Sequence, residues 1–193
     1  EKNKIRKHSE FEKLIKIAAS SIGAPCNPNK LSNTFKSVEN VNLNPETISF
    51  YLSYLQDAYL IEKSTRYDIK GKKYIGSLSK YYFTDIGLRN AILNFRQQEE
   101  SHIMENIIYN ELCIKGFAVD VGIVEHRTTD KDNQTIRKQY EVDFVANLGS
   151  QRYYIQSALS IPDKEKIMQE TNSLRHINDN FRKIVITKDD VHP

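Results

Sequence analysis

The chain is poor in the residues that usually mark a metal, redox or membrane function. It has two cysteines in 193 residues, Cys26 and Cys113, in neither a CxxC nor a Cys/His spacing. That excludes a disulfide framework and fits core-filling thiols in a reducing cytosol. The five histidines form no HxH or HExxH pattern, so no zinc site is legible. No run of about 18 apolar residues occurs, so no helix is expected to span a membrane. The opening "EKNKIRKHSEF" is charged throughout, unlike a signal peptide, and it lacks an initiator Met, which suggests a fragment of something longer. There is no GxxxxGK[ST], and "DIKGKKY" has neither the spacing nor the strand-to-helix setting of a phosphate loop.

What is present is a globular composition, 39% hydrophobic and 27% charged. The net charge of +3 hides an asymmetry. Residues 1–98 carry 16 Lys and Arg against 9 Asp and Glu, a net +7; residues 99–193 carry 12 against 16, a net −4. Two modules are therefore expected, 1–98 and 99–193, divided in the polar run "NFRQQEESH" at 94–102. The basic module is the one expected to touch phosphate.

In the first module, "EFEKLIKIAASSIG" places Phe11, Leu14, Ile15, Ala18 and Ile22 on one helical stripe that closes at Gly23. "NPNKLSNTFKSVE" predicts a second helix with Leu31 and Phe35 inward. Asn44 followed by Pro45 is an N-cap with proline at the first helical position, and Ile48, Leu52, Leu55 and Tyr59 recur behind it. Two strands around "KGKK" follow. Three helices and a basic hairpin are the order of a winged helix-turn-helix. Thr47, Phe50, Ser53 and Tyr54 would then face a DNA groove, and Lys70, Lys72 and Lys73 would meet backbone phosphates. An exposed Phe50–Tyr54 pair could equally pack against a neighbouring protein domain.

The second module reads as helix, three strands, helix, strand, an α/β layer structure with a mixed sheet. The segment "TTDKDNQTIRK" reads as a loop between the first two strands. Within "QYEVDFVA", Glu141 and Asp143 lie two apart and so share a face, with Val142 and Phe144 on the other. Such an acidic face meets either water or a cation. Glu105 on the preceding helix and Gln156 and Ala158 on the following strand complete the pattern. Glu105 and Asp143 are the candidate ligands for Mg²⁺ or Mn²⁺, ions that take oxygen donors and activate water in phosphodiester cleavage.

This layout resembles the PD-(D/E)XK, or restriction-endonuclease-like, nuclease superfamily. There an acidic residue on the first helix precedes an Asp on one strand and (D/E)xK on the next. Glu105, Asp143 and Gln156 match the acidic positions by place, with an amide in the third and Ala158 where the lysine belongs. Lys164 or Arg175 could stand in for that lysine. A resemblance also runs along nearly the whole chain, through "YYFTDIGLRNA", "MENIIYNEL" and "EVDF". In their order these motifs look like the C-terminal region of prokaryotic AAA-type ATPases, catalogued as domain of unknown function 4143. The resemblance implies an ATP-binding domain preceding this region, with which it would pair, and a truncated C-terminus after "KIVITKDD". Three functions are open at this point: a nucleic-acid-binding module with a degenerate nuclease fold, an active metal-dependent nuclease with a rearranged site, and a docking module for the ATPase domain.

Overall fold

Two Asn-Pro steps set the helical part of the fold. In the computed structural model, which describes residues 5, 7–96, 99–129 and 133–189, α1 (His8–Ser20) is followed by α2 (Pro28–Val38) and α3 (Pro45–Asp57). Asn27 accepts from Lys30 N and Asn44 from Thr47 N, both at 2.8 Å, so each asparagine satisfies an otherwise orphaned helix donor. Asp85 does the same for α4 (Ile86–Ile92), accepting from Leu88 N at 2.9 Å. The apolar stripes carrying Leu14, Ile22, Leu31, Phe35, Ile48, Leu52 and Leu55 meet in one core with Ile61, Tyr81 and Phe83.

Tyr59 does not continue the α3 stripe. The helix ends at Asp57, and Tyr59 turns into the left-handed region, φ 54°, with its ring 76% exposed. Tyr59 N donates to the Gln56 carbonyl and Leu60 N to that of Leu55, the paired bonds of a Schellman cap. Gly116 fills the same position after α5 (Glu100–Ile114), where Phe117 N donates back to Leu112 O. A tyrosine stands at the first of these positions, where glycine is the usual residue.

The strands are β1 (Ile61–Asp68), β2 (Lys73–Phe83), β3 (Ala118–Thr129), β4 (Thr135–Leu148), β5 (Gln151–Ala158) and β6 (Arg182–Thr187), with short helices α6 (Lys164–Glu170) and α7 (Asn172–Arg175) before the last. They form a sheet in the order β2-β1-β3-β4-β5-β6. β1–β3 and β5–β6 are parallel, whereas β3–β4 and β4–β5 are antiparallel. The architecture is thus mixed α/β. The winged-helix module expected at 1–98 and the α/β module expected at 99–193 share elements. One compact unit comprises Glu1–Ser64 and Ser77–Asn106, the other Thr65–Gly76 and Ile107–Pro193. β1, β2 and α5 each start in one unit and end in the other, so no single cut at 98/99 separates them. The β1–β2 tip, expected as a wing, belongs to the sheet unit, where β1 pairs with β3 from Arg66↔Val121 to Asp68↔Ile123.

Two further expectations change in the sheet. Of the presumed loop 128–138, residues 128–129 and 135–138 are strand, since β3 and β4 stay paired from Val124↔Tyr140 out to Thr129↔Thr135. The alternation along β4 also slips. Asp120 pairs with Val145 and Gly122 with Val142, so three steps on β4 span two on β3, a β-bulge. Val142 and Val145 therefore lie in the same core, with Val124, Tyr154, Leu174 and Ile177. Phe144 instead has its ring 6.3 Å from that of Tyr109, so it does not share a side with Val142. Gly122 makes the bulge possible: a Cβ there would stand 2.8 Å from Val145 Cγ2 and 2.9 Å from Val142 Cβ.

Candidate functional site

The bulge positions Asp143 beside β5. Its Oδ2 accepts from Gln156 Nε2 at 2.9 Å and from Ser157 N at 2.7 Å. The other end of the amide, Gln156 Oε1, accepts from Ser173 Oγ on α7 at 3.2 Å. Asp143 is 8% exposed and Ala158, at the expected lysine position, 4%. The acidic strand residue is thus buried rather than set on a solvated face. Fixed N–H donors of the next strand satisfy it, as buried polar atoms require.

Glu105 is engaged separately, within the helical unit. Lys80 Nζ donates to its Oε1 at 2.9 Å and Tyr82 Oη to the same oxygen at 2.7 Å. Lys80 is 3% and Glu105 9% exposed, so this is a buried ion pair reinforced by a neutral donor. Gly23 leaves room for it, since a Cβ there would come within 3.2 Å of Glu105 Oε1. Lys80 and Tyr82 were not singled out in the sequence. Their two-residue spacing in "KYYF", which puts both on one face of a strand, was the available signal.

The printed contacts engage one oxygen of each candidate carboxylate, Asp143 Oδ2 and Glu105 Oε1. Asp143 and Gln156 are brought together, but as acceptor and donor, and Glu105 is committed to Lys80 and Tyr82. Among the described residues no group of three or more His, Cys, Asp or Glu could hold a metal ion. The proposed substitutes for the missing lysine, Lys164 on α6 and Arg175 on α7, are both exposed.

The expected groove-facing residues of α3 differ among themselves. Phe50 is 62% exposed and lines an open hollow of about 590 Å³ with Pro28, Pro45 and Ser53. Thr47 and Ser53 are half-buried, and Ser53 Oγ donates to the Phe50 carbonyl at 2.8 Å. Tyr54 packs on the helical core, 6.3 Å from Tyr51 between ring centres. Lys70, Lys72 and Lys73 are exposed, as expected of a phosphate-facing tip. Lys70 and Lys73 line a hollow of about 620 Å³ in the sheet unit with Asp68, Glu125, His126 and Arg127. Lys70 Nζ donates to the Glu125 carbonyl at 2.9 Å. Of the two thiols, Cys113 is exposed rather than core filler, and Cys26 is half-buried.

Residues 1–99 match the model of a family described as a domain of unknown function, DUF8612. The chain belongs to this family. The DUF8612 match covers most of the helical unit together with the β1–β2 tip. Beyond it, similarity continues into the sheet unit. The chain is 36% identical over 177 residues to an uncharacterized protein of Haemophilus influenzae, covering 92% of this chain and 40% of that protein. It is 30% identical over 166 residues to an uncharacterized protein of Methanocaldococcus jannaschii, covering 86% of this chain and 34% of that one. The chain therefore spans well under half the length of these curated relatives. A crystal structure of a Vibrio cholerae protein aligns over 100% of this chain and 50% of its own, at 12% identity and a TM-score of 0.30, too low a likeness to argue from. No helix among the described residues is long and apolar enough to cross a membrane.

Proposed function

We propose that this chain is a DNA-binding, regulatory module of a larger AAA-type ATPase, built from a winged-helix-like part and a nuclease-like sheet that has given up catalysis. The observation that carries the reading is the pair of N–H donors on Asp143: Gln156 Nε2 and Ser157 N both donate to Oδ2, and the amide stands where a second carboxylate would hold a metal. Gln156 brings no negative charge to a cation, and Ala158 supplies no ammonium to orient water or stabilise developing charge. Kinship with the ATPase region, and with it a prokaryotic, cytoplasmic setting, rests on the ordered motifs from "YYFTDIGLRNA" to "EVDF". The ATP site and the coupling to hydrolysis belong to the domain that the kinship implies.

DNA contact is supported by the exposed lysines of the β1–β2 tip. The test is a salt titration of binding to a labelled duplex, without metal, for wild type and for Lys70, Lys72 and Lys73 all changed to Ala. Each lost phosphate contact should flatten the log–log salt slope by roughly 0.9. A wild type that binds no nucleic acid at low salt ends this reading. A second reading, docking onto the ATPase domain, is favoured by Phe50 on its open hollow, and loss of ATPase-domain pull-down on Phe50→Ala with DNA binding intact would select it.

A further inference from the structure

The β3–β4 hairpin carries its charges against its own stability. The registered ladder of β1 on β3 ends at Ile123 and that of β5 on β4 at Phe144. Beyond them β3 and β4 continue as a pair to Thr129↔Thr135, and Arg127–Thr129 and Thr135–Gln139 are exposed. In this two-stranded arm Arg127 stands directly opposite Arg137, and His126 opposite Lys138. Like charges facing each other across a strand pair are destabilising. Ordinary surface charge would alternate in sign at such positions.

The root of the arm adds to the same field. The His176 ring lies between His126, 4.1 Å away, and Tyr140, 4.7 Å away, both stacked, and Lys138 Nζ sits 5.1 Å from the Tyr140 ring centre. Lys70 and Lys73 border the adjoining hollow. Among the described residues lining that hollow, the anions are Asp68 and Glu125, both engaged. Asp68 Oδ1 accepts from Gly71 N at 2.9 Å and Glu125 Oε1 from Arg127 Nε at 2.8 Å. Burial first, and then the charges of His126, Lys70 and Lys138, hold the His176 pKa below its ordinary value. The hydrogen bond from Arg127, with the charges of Arg127, Arg137 and Lys70, holds that of Glu125 below its own.

We infer that the β3–β4 arm is the element that enters duplex DNA, its strands in a groove and Arg127, Arg137, Lys138, Lys70 and Lys73 on the flanking phosphates. The inference rests on the DNA-binding reading above, keeps its tip lysines, and makes the arm rather than α3 the groove-entering element. A two-stranded ribbon fits the B-DNA major groove, which is about 12 Å wide. Six paired residues per strand reach roughly 20 Å, enough to traverse it. Glu125 pairs with Arg127, and the polyanion supplies counter-charge to the facing Arg137 and to Lys138, Lys70 and Lys73.

The experiment is fluorescence anisotropy of a labelled duplex across salt with the full chain and with Arg127→Thr/Arg137→Thr, paired with circular-dichroism melting of both. The variant should bind with a salt slope reduced by roughly 1.8, two contacts at about 0.9 each, and should melt close to wild type, because loss of the exposed Arg127–Glu125 pair is offset by removal of the Arg127–Arg137 opposition. An unchanged slope in a wild type that binds overturns the inference while leaving the DNA-binding reading intact. A melting temperature several degrees lower overturns it too, showing that the arginines hold the arm together. Preference for single-stranded or RNA probes over the duplex overturns the choice of ligand. Failure of the wild type to bind any of them removes both readings.

Discussion

Changing Gln156 to Glu restores the carboxylate that a nuclease site would carry, and the structure states what that should cost. In the wild type Gln156 Nε2 donates to Asp143 Oδ2 at 2.9 Å. The substitution removes that donor and sets a second negative charge beside the first. At about 4 Å and an effective dielectric constant of about 20, two like charges repel by about 4 kcal/mol. The protein can escape part of this by protonating one carboxyl. For a group with an unperturbed pKa of about 4.3, that costs about 3.7 kcal/mol at pH 7 and about 1.4 kcal/mol less per unit of acidification. The destabilisation should therefore be about 3–4 kcal/mol at pH 7 and about 1 kcal/mol at pH 5. For a chain of this size that is a fall in melting temperature of roughly 6–16 °C at pH 7. Melting is followed by circular dichroism in EDTA and in Mn²⁺. The wild type should ignore the ion. The variant, with paired carboxylates and no amide between them, should recover up to about 2.7 kcal/mol at a hundredfold excess over its dissociation constant. A wild type stabilised by Mn²⁺, or a variant as stable as wild type at pH 7 in EDTA, would refute the claim that the Gln156 amide holds Asp143 in place of a metal ion.

Lys80→Met should cost about 3–5 kcal/mol by leaving the buried Glu105 without its ion-pair partner, and Lys80→Met/Glu105→Leu should recover much of it in urea melts. Tyr59→Gly should leave stability unchanged or raise it by about 1 kcal/mol, because glycine carries no Cβ penalty at the left-handed position after α3. At pH 8 a thiol reagent should label Cys113 well before Cys26, whose thiol burial pushes up to about 11 and so keeps protonated. Because the folded His176 pKa is lowered, the unfolded chain takes up this proton first. Its contribution to stability is present above about pH 6.5 and is lost as pH falls through that value. The difference in melting temperature between wild type and His176→Gln, measured from pH 8 to 5.5, should narrow or reverse towards the acid end.

Local rules were enough to place the starts of α2 and α3. Asn27-Pro28 and Asn44-Pro45 start α2 and α3, and Asp85 caps α4, because capping joins residues three apart and is written in contiguous sequence. The positions of Asp143 and Gln156 on adjacent strands were legible for a similar reason, since alternating patterns bounded by turn residues mark strands. What those two residues do to each other was decided by tertiary structure. A bulge at Gly122 shifts the β4 alternation, and no periodicity in one strand records an irregularity that exists only in its pairing with another. Glu105 finds Lys80 and Tyr82 across 25 and 23 residues. The like-charge opposition of Arg127 and Arg137 appears only once the polar stretch between them is folded back in register. Side-chain type and short spacing are properties of the chain; the partner that sets a carboxylate's role is a property of long-range packing.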